Sequence, residues 1–143
     1  MHAEVLRRFF EGSADAAELA RDLPGSWIPT GGGSQSFKWT DLDKDFEVEP
    51  HHLVRVCDAV LSGDLPADLV QVVGSCLVAS SHWHWPEGEL ADRILEVVNW
   101  WDTPEINYEL SPAMMLKCRH WILTGEKTFT PDDYYRRPSA GPA

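Results

Sequence analysis

The sequence predicts a mainly all-α fold: a single-domain, irregular helical bundle around a buried central helix at 66–80, with a long irregular or extended acidic segment at 24–49. Three observations predict it. The stretch PADLVQVVGSCLVAS, from Pro66 to Ser80, carries Leu69, Val70, Val72, Val73, Cys76, Leu77, Val78 and Ala79. These would point in every direction around a helix, so it belongs inside a core. On either side, segments with apolar residues three and four apart open at Ser or Pro and close at Gly, the punctuation of helices. Finally, 143 residues suffice for one domain that buries about two-thirds of its unfolded surface, a core that needs neither staple nor metal. The domain is expected over 1–137, with 138–143 a frayed tail.

In chain order, residues 2–11 read as a short helix with Val5, Leu6, Phe9 and Phe10 on one side and Gly12 as its left-handed stop. Ser13 is placed to cap a second helix running to Leu23. The segment PGSWIPTGGGSQS, from Pro24 to Ser36, has the composition of a flexible loop. Its glycine run is no phosphate loop, because Gly-Lys-Ser/Thr, a preceding strand and the dinucleotide glycine spacing are all missing. Pro50 opens a helix to Ser62 that carries Leu53, Val56, Cys57, Val60 and Leu61 on one stripe and ends at Gly63. The short link through Leu65 makes it an antiparallel hairpin with the central helix. A further helix is expected over Pro86–Trp101, with Glu89 one turn before Arg93, then an extended INYEL connection. Ser111 and Pro112 cap a last long helix ending at Gly125, and Thr130–Pro131 start a final turn.

Charge bounds the function. Against 12 basic residues stand 23 acidic ones, a formal net charge of -11, which opposes nucleic acid as a ligand and favours a cationic partner. In Asp41, Asp43, Asp45, Glu47 and Glu49 a carboxylate occupies every second position. An extended chain would set all five on one face, with Leu42, Lys44, Phe46 and Val48 as a partly apolar face behind them. The run is either a solvated face or a field that serves a partner. It is not a calcium loop: Phe46 stands where the sixth-position glycine belongs and His52 where the bidentate Glu belongs.

Cys57, Cys76 and Cys118 stand alone among apolar residues, the usage of buried thiols in a reducing compartment, although three widely spaced thiols also allow one disulfide. With no apolar run after Arg8 to make a signal or a span, a cytoplasmic location is expected and no membrane partner. In SHWHWPEGE, His82 and His84 would share a face of an extended segment, but a metal wants three or four ligands. No metal and no cofactor are therefore expected. Trp83 and Trp85 either cover the end of the core or anchor an interface.

With HWHW, WDTPEINY and the capped helix after it laid out, residues 45–125 resemble a family of small, acidic, uncharacterised bacterial proteins, PEINY being the most specific piece. This chain departs from the family pattern at Glu109, where a proline is usual, and at Ser81, where an acid is usual. The resemblance assigns no catalytic or binding residue. In general appearance the chain is also similar to immunity proteins that neutralise toxins, an analogy of type.

Together these readings favour a non-catalytic, immunity- or antitoxin-like protein that binds a basic protein partner through Asp41, Asp43, Asp45, Glu47 and Glu49, with Trp83 and Trp85 as anchors. No catalytic residue is assigned. Ser34 and Ser75 lack the nucleophile elbow, and no nucleophile and base stand at recognisable spacing. The alternative is a small enzyme, for instance with Glu105 meeting Asp102 or Glu109, or a regulatory subunit using Trp83, Trp85 and Trp100 against an apolar partner. Oligomeric state is not legible.

Overall fold

Leu6, Phe9 and Phe10 fall on one side of the first turns of chain and are buried there, which sets helix α1 (Ala3–Glu11) against the rest of the molecule. The computed structural model describes residues 1–135; the expected tail at 138–143 lies outside them. Gly12 ends α1 at φ +85°, a conformation that favours glycine. Helix α2 (Ala16–Asp22) starts two residues later than Ser13 would place it. Asp15 is the cap, its side chain accepting the Glu18 N–H at 2.8 Å, while the Ser13 hydroxyl turns back onto the Arg8 carbonyl.

The segment read as a flexible loop is instead an antiparallel hairpin, β1 (Trp27–Gly31) with β2 (Ser34–Phe37). Gly31, Gly32 and Gly33 supply three positive φ values at its tip, and the cross-strand pair Trp27 and Phe37 stacks its rings 5.0 Å apart. The glycines that suggested a linker are the turn. Beyond it, Phe46–Glu47 (β3) pairs in parallel with Trp83–His84 (β4), closed by Phe46 N–H to the His82 carbonyl and Val48 N–H to the His84 carbonyl.

Four longer helices build the remainder: α3 (Pro50–Leu61), α4 (Val70–Ala79), α5 (Glu89–Asp102) and α6 (Pro112–Thr124). The chain is thus mainly helical, with two small two-stranded sheets. Pro66 does not begin the helix of the apolar stretch. A 3-10 turn, Ala67–Leu69, precedes α4, whose Val70, Val72, Val73, Gly74, Ser75, Cys76 and Leu77 are buried while Val78 and Ala79 are exposed. Likewise α5 starts at Glu89 because Gly88, at φ +87°, makes the turn after Pro86. INYEL is part 3-10 turn, Pro104–Ile106, and part bridge, Tyr108 pairing with Tyr134 with their rings stacked at 5.2 Å.

Helix α4 packs on α5 so closely that a Cβ at Gly74 would stand 2.5 Å from the Asp102 backbone nitrogen. Ser75 Oγ donates to Asp102 at 2.8 Å and the Gln71 amide donates to the Asp102 carbonyl at 3.3 Å, which fixes the register of the pair. Helix α6 packs on α3 and α5 and buries Met114, Met115, Cys118 and Ile122, and Arg119 reaches Asp58 of α3. All three cysteines are free and buried. Among the described residues no helix is long and apolar enough to cross a membrane.

Candidate functional site

Two backbone hydrogen bonds decide where the acidic run lies. Ala3 N–H donates to the Thr40 carbonyl and Thr40 N–H to the Met1 carbonyl, so residues 41–46 leave Thr40 alongside α1. Leu42 and Val48 turn inward, and the five alternate acids stay exposed. Between the run and α1 opens a cleft of about 490 Å³, walled by Glu4, Arg7 and Glu11 from the helix and by Asp41, Asp43, Lys44, Asp45 and Phe46 from the run. Its two cations stand among five carboxylates. Arg7 is held by both Glu4 and Glu11, 2.8 Å from the latter, and the hydrogen bond it donates to Glu4 holds that carboxyl below its usual range.

The five alternate acids are not equivalent, because the chain bends at Asp43 and Lys44. Asp41 accepts from its neighbour Leu42 N–H and from the buried Ser80 hydroxyl. Asp45 is clamped by two imidazoles, His82 Nδ1 at 2.9 Å from one oxygen and His84 Nε2 at 3.2 Å from the other. Those hydrogen bonds, His82's first, keep its carboxyl below the usual carboxylate range. Glu49 caps α3 and lies 3.6 Å from His51. Among the described residues Asp43 and Glu47 make no side-chain hydrogen bond or ion pair. Of the five, Asp41, Asp43 and Asp45 line the cleft; Glu47 lines an adjoining shallow hollow with Asp45, Phe46, His84 and Trp85.

The floor under Phe46 is an aromatic cluster. His52 stacks on Phe10 and lies tilted against Phe46, each at 5.1 Å, and is 7% exposed. Its Nδ1 accepts the Glu49 N–H at 2.9 Å, so the neutral ring does the work of the Glu or Gln of a capping box. Burial, with His51 and Arg55 nearby, pushes its pKa down to about 4. Trp83, expected as an anchor, is 3% exposed. It sits edge-on to Phe10 and Phe46, so it belongs to the core and offers no surface to a visitor. Trp85 is half-buried at the rim. Trp100 is also buried, against Tyr108 and Phe129.

Other acids are committed elsewhere. Glu89 pairs with Arg93 at 3.0 Å, Glu96 with Lys127 at 2.6 Å, and Asp102 accepts from Ser75. The thiols of Cys76 and Cys118 are pushed up to about 12 by burial, which keeps them protonated and unreactive. The His82–Asp45–His84 group is a hydrogen-bonded clamp between β3 and β4; among the described residues no three His, Cys, Asp or Glu side chains are disposed to hold a metal ion.

Glu4, Arg7 and Glu11 were missed as site residues. Their signal is their spacing of three and four along α1, which puts them on one face, opposite the apolar stripe. Comparison with protein-family models, with curated proteins and with solved structures finds no match to this chain.

Proposed function

We propose that this chain is a non-catalytic protein-binding protein, an immunity- or antitoxin-like inhibitor that receives a basic protein partner at the cleft between α1 and residues 41–46. One observation carries the reading: five carboxylates, Glu4, Glu11, Asp41, Asp43 and Asp45, converge on a cleft whose cations are Lys44 and an Arg7 already tied to two acids. Such a concave negative wall concentrates field lines and steers an arginine- or lysine-rich surface toward it. Phe46 in the wall adds a ring face on which a guanidinium can lie. The net charge of -11 extends the same attraction to long range.

The test is affinity capture from the native host at low and at high salt, followed by stopped-flow association with the captured protein. A basic partner whose association slows about tenfold in Asp43→Lys, and less in Glu47→Lys outside the cleft, is the expected result. Capture of an acidic partner, or rates indifferent to Asp43→Lys and to salt, would defeat it.

A further inference from the structure

Histidine gains its charge between about pH 8 and pH 5, and His51, His52, His82 and His84 all stand around β3 and β4. They do not act alike. His52 is buried between Phe10 and Phe46, and with its pKa pushed down to about 4 it stays neutral in the folded chain above about pH 5. His51 has Glu49 as its acid, 3.6 Å away. His82 and His84 instead meet one carboxylate, Asp45, which is also part of the wall of the acidic cleft.

Strand geometry explains the convergence. Side chains two apart in an extended segment share a face, so β4 alongside β3 aims both imidazoles at the same neighbour. With the Asp45 side chain 67% exposed, His82 33% and His84 55%, protons reach the group from solvent. Hydrogen bonds from His82 and then His84 hold the Asp45 carboxyl below the usual range, so it stays ionised while the rings take up protons.

The other charges facing the clamp are carboxylates and permanent cations. Across the cleft α1 presents Glu4, Arg7 and Glu11, and the run itself adds Asp41, Asp43 and Lys44. Beside the clamp stand Glu47 of β3 and Glu49 at the cap of α3. Five carboxylates against two cations leave the cleft three net negative charges while His82 and His84 are neutral, and one when both are protonated.

We propose that His82 and His84 are a proton gate on the acidic cleft: neutral, they leave Asp45 to draw a basic partner in, and protonated, they cancel it, so that the partner is held at neutral pH and released in mild acid. The gate rests on the cleft being the surface that receives a basic partner. The coupling is reciprocal, so a cation seated in the cleft expels protons from the two imidazoles. Salt and acid then weaken one contact by different routes, salt by screening the whole field and acid by adding charge at one wall.

An acetylated, amidated octa-arginine peptide is a suitable probe, because guanidinium charge does not change in this pH range. Titration calorimetry uses the full chain at low, constant ionic strength, with folding checked by circular dichroism at each pH. Binding is expected to be about tenfold weaker at about pH 5.5 than at about pH 7.5. Proton release on binding near pH 6.5 is read from the dependence of the heat on the buffer's ionisation enthalpy. His82→Asn with His84→Gln keeps a polar group near each contacting ring nitrogen without a titrating ring, and is expected to lose most of the pH dependence and of the proton release. Asp43→Lys, which weakens binding at every pH, reports on the cleft itself. A peptide that responds to Asp43→Lys but shows the same pH dependence in the wild type and the histidine double variant overturns the gate and leaves the cleft standing. A peptide indifferent to Asp43→Lys overturns both.

Discussion

Helices α4 and α6 both carry many apolar residues and meet different ends. In α4, which has no charged residue, Val70 and Val72 to Leu77 are buried, whereas α6, which also carries Lys117, Arg119 and His120, buries one side and leaves Leu116 and Leu123 in the open. The difference comes from what their neighbours can approach. Gly74 and Ser75 let α5 come to within backbone contact of α4, and Asp102 accepts the Ser75 hydroxyl, so a small-residue face is converted into a tight seam. On α6 long side chains flank the two exposed leucines, Lys117 pairing with Asp133 and Arg119 with Asp58. An all-apolar pattern states that a helix wants cover. It does not state who supplies it.

The comparison is broken most severely at its tightest point. Gly74→Ala adds a methyl group 2.5 Å from the Asp102 nitrogen and 2.7 Å from Trp101. Alanine favours a helix interior by about 1 kcal/mol over glycine, but overpacking against backbone costs about 3 kcal/mol or more, so the net effect is destabilising. Urea unfolding is expected to show a clear fall in midpoint, and an unchanged or raised midpoint would mean that α5 is not held where it stands. Leu77→Ala on α4 is expected to cost about 3 kcal/mol through the cavity it leaves, against about 0.5 kcal/mol or less for Leu123→Ala on the open face of α6. Near-equal losses for the two would erase the distinction drawn between the helices.

Acid sharpens the contrast at the other end of the core. The folded pKa of His52, about 4, lies below the 6.5 of an ordinary histidine, so the unfolded chain takes up a proton first. Its contribution is whole above pH 6.5, declines as pH falls, and is gone by about pH 4, a loss of about 3 kcal/mol in all. Phe10 and Phe46 packed against the ring desolvate a charge there, and His51 and Arg55 add repulsion. Gln at this position can accept the Glu49 N–H without titrating, so thermal melts of His52→Gln should lose part of the wild-type slope between those pH values. Parallel pH profiles would remove His52 as the cause. A modest effect is expected of Ser75→Ala, which deletes the hydrogen bond to Asp102 across the α4–α5 seam and should cost about 1 kcal/mol in the same urea assay.

Helix content was legible because capping and periodicity act locally. Pro50, Ser111, Gly12, Gly63 and Gly125 each sit at a helix end that their own backbone preference dictates. The glycines at 31–33 misled, since three consecutive glycines are equally the composition of a slack loop and of a hairpin tip; the partner strand that decides between them is chosen by Trp27 meeting Phe37. At the candidate site the alternation of acids was readable, but the cleft was not. Glu4 and Glu11 reach it only because Met1, Ala3 and Thr40 exchange hydrogen bonds across about 40 residues of chain. The pairing of His82 and His84 with Asp45, and the burial of Trp83, likewise need β3 and β4 side by side.

By itself the sequence determined that the chain is mainly helical, where several of its helices stop, and that its net charge is negative, because each depends on side-chain chemistry and on spacing along one element. Only the tertiary structure decided which carboxylates share a cleft, which tryptophan is hidden, and which apolar helix keeps an open side. Those are facts about distances between remote pieces of chain, and they are set by which surfaces pack most closely.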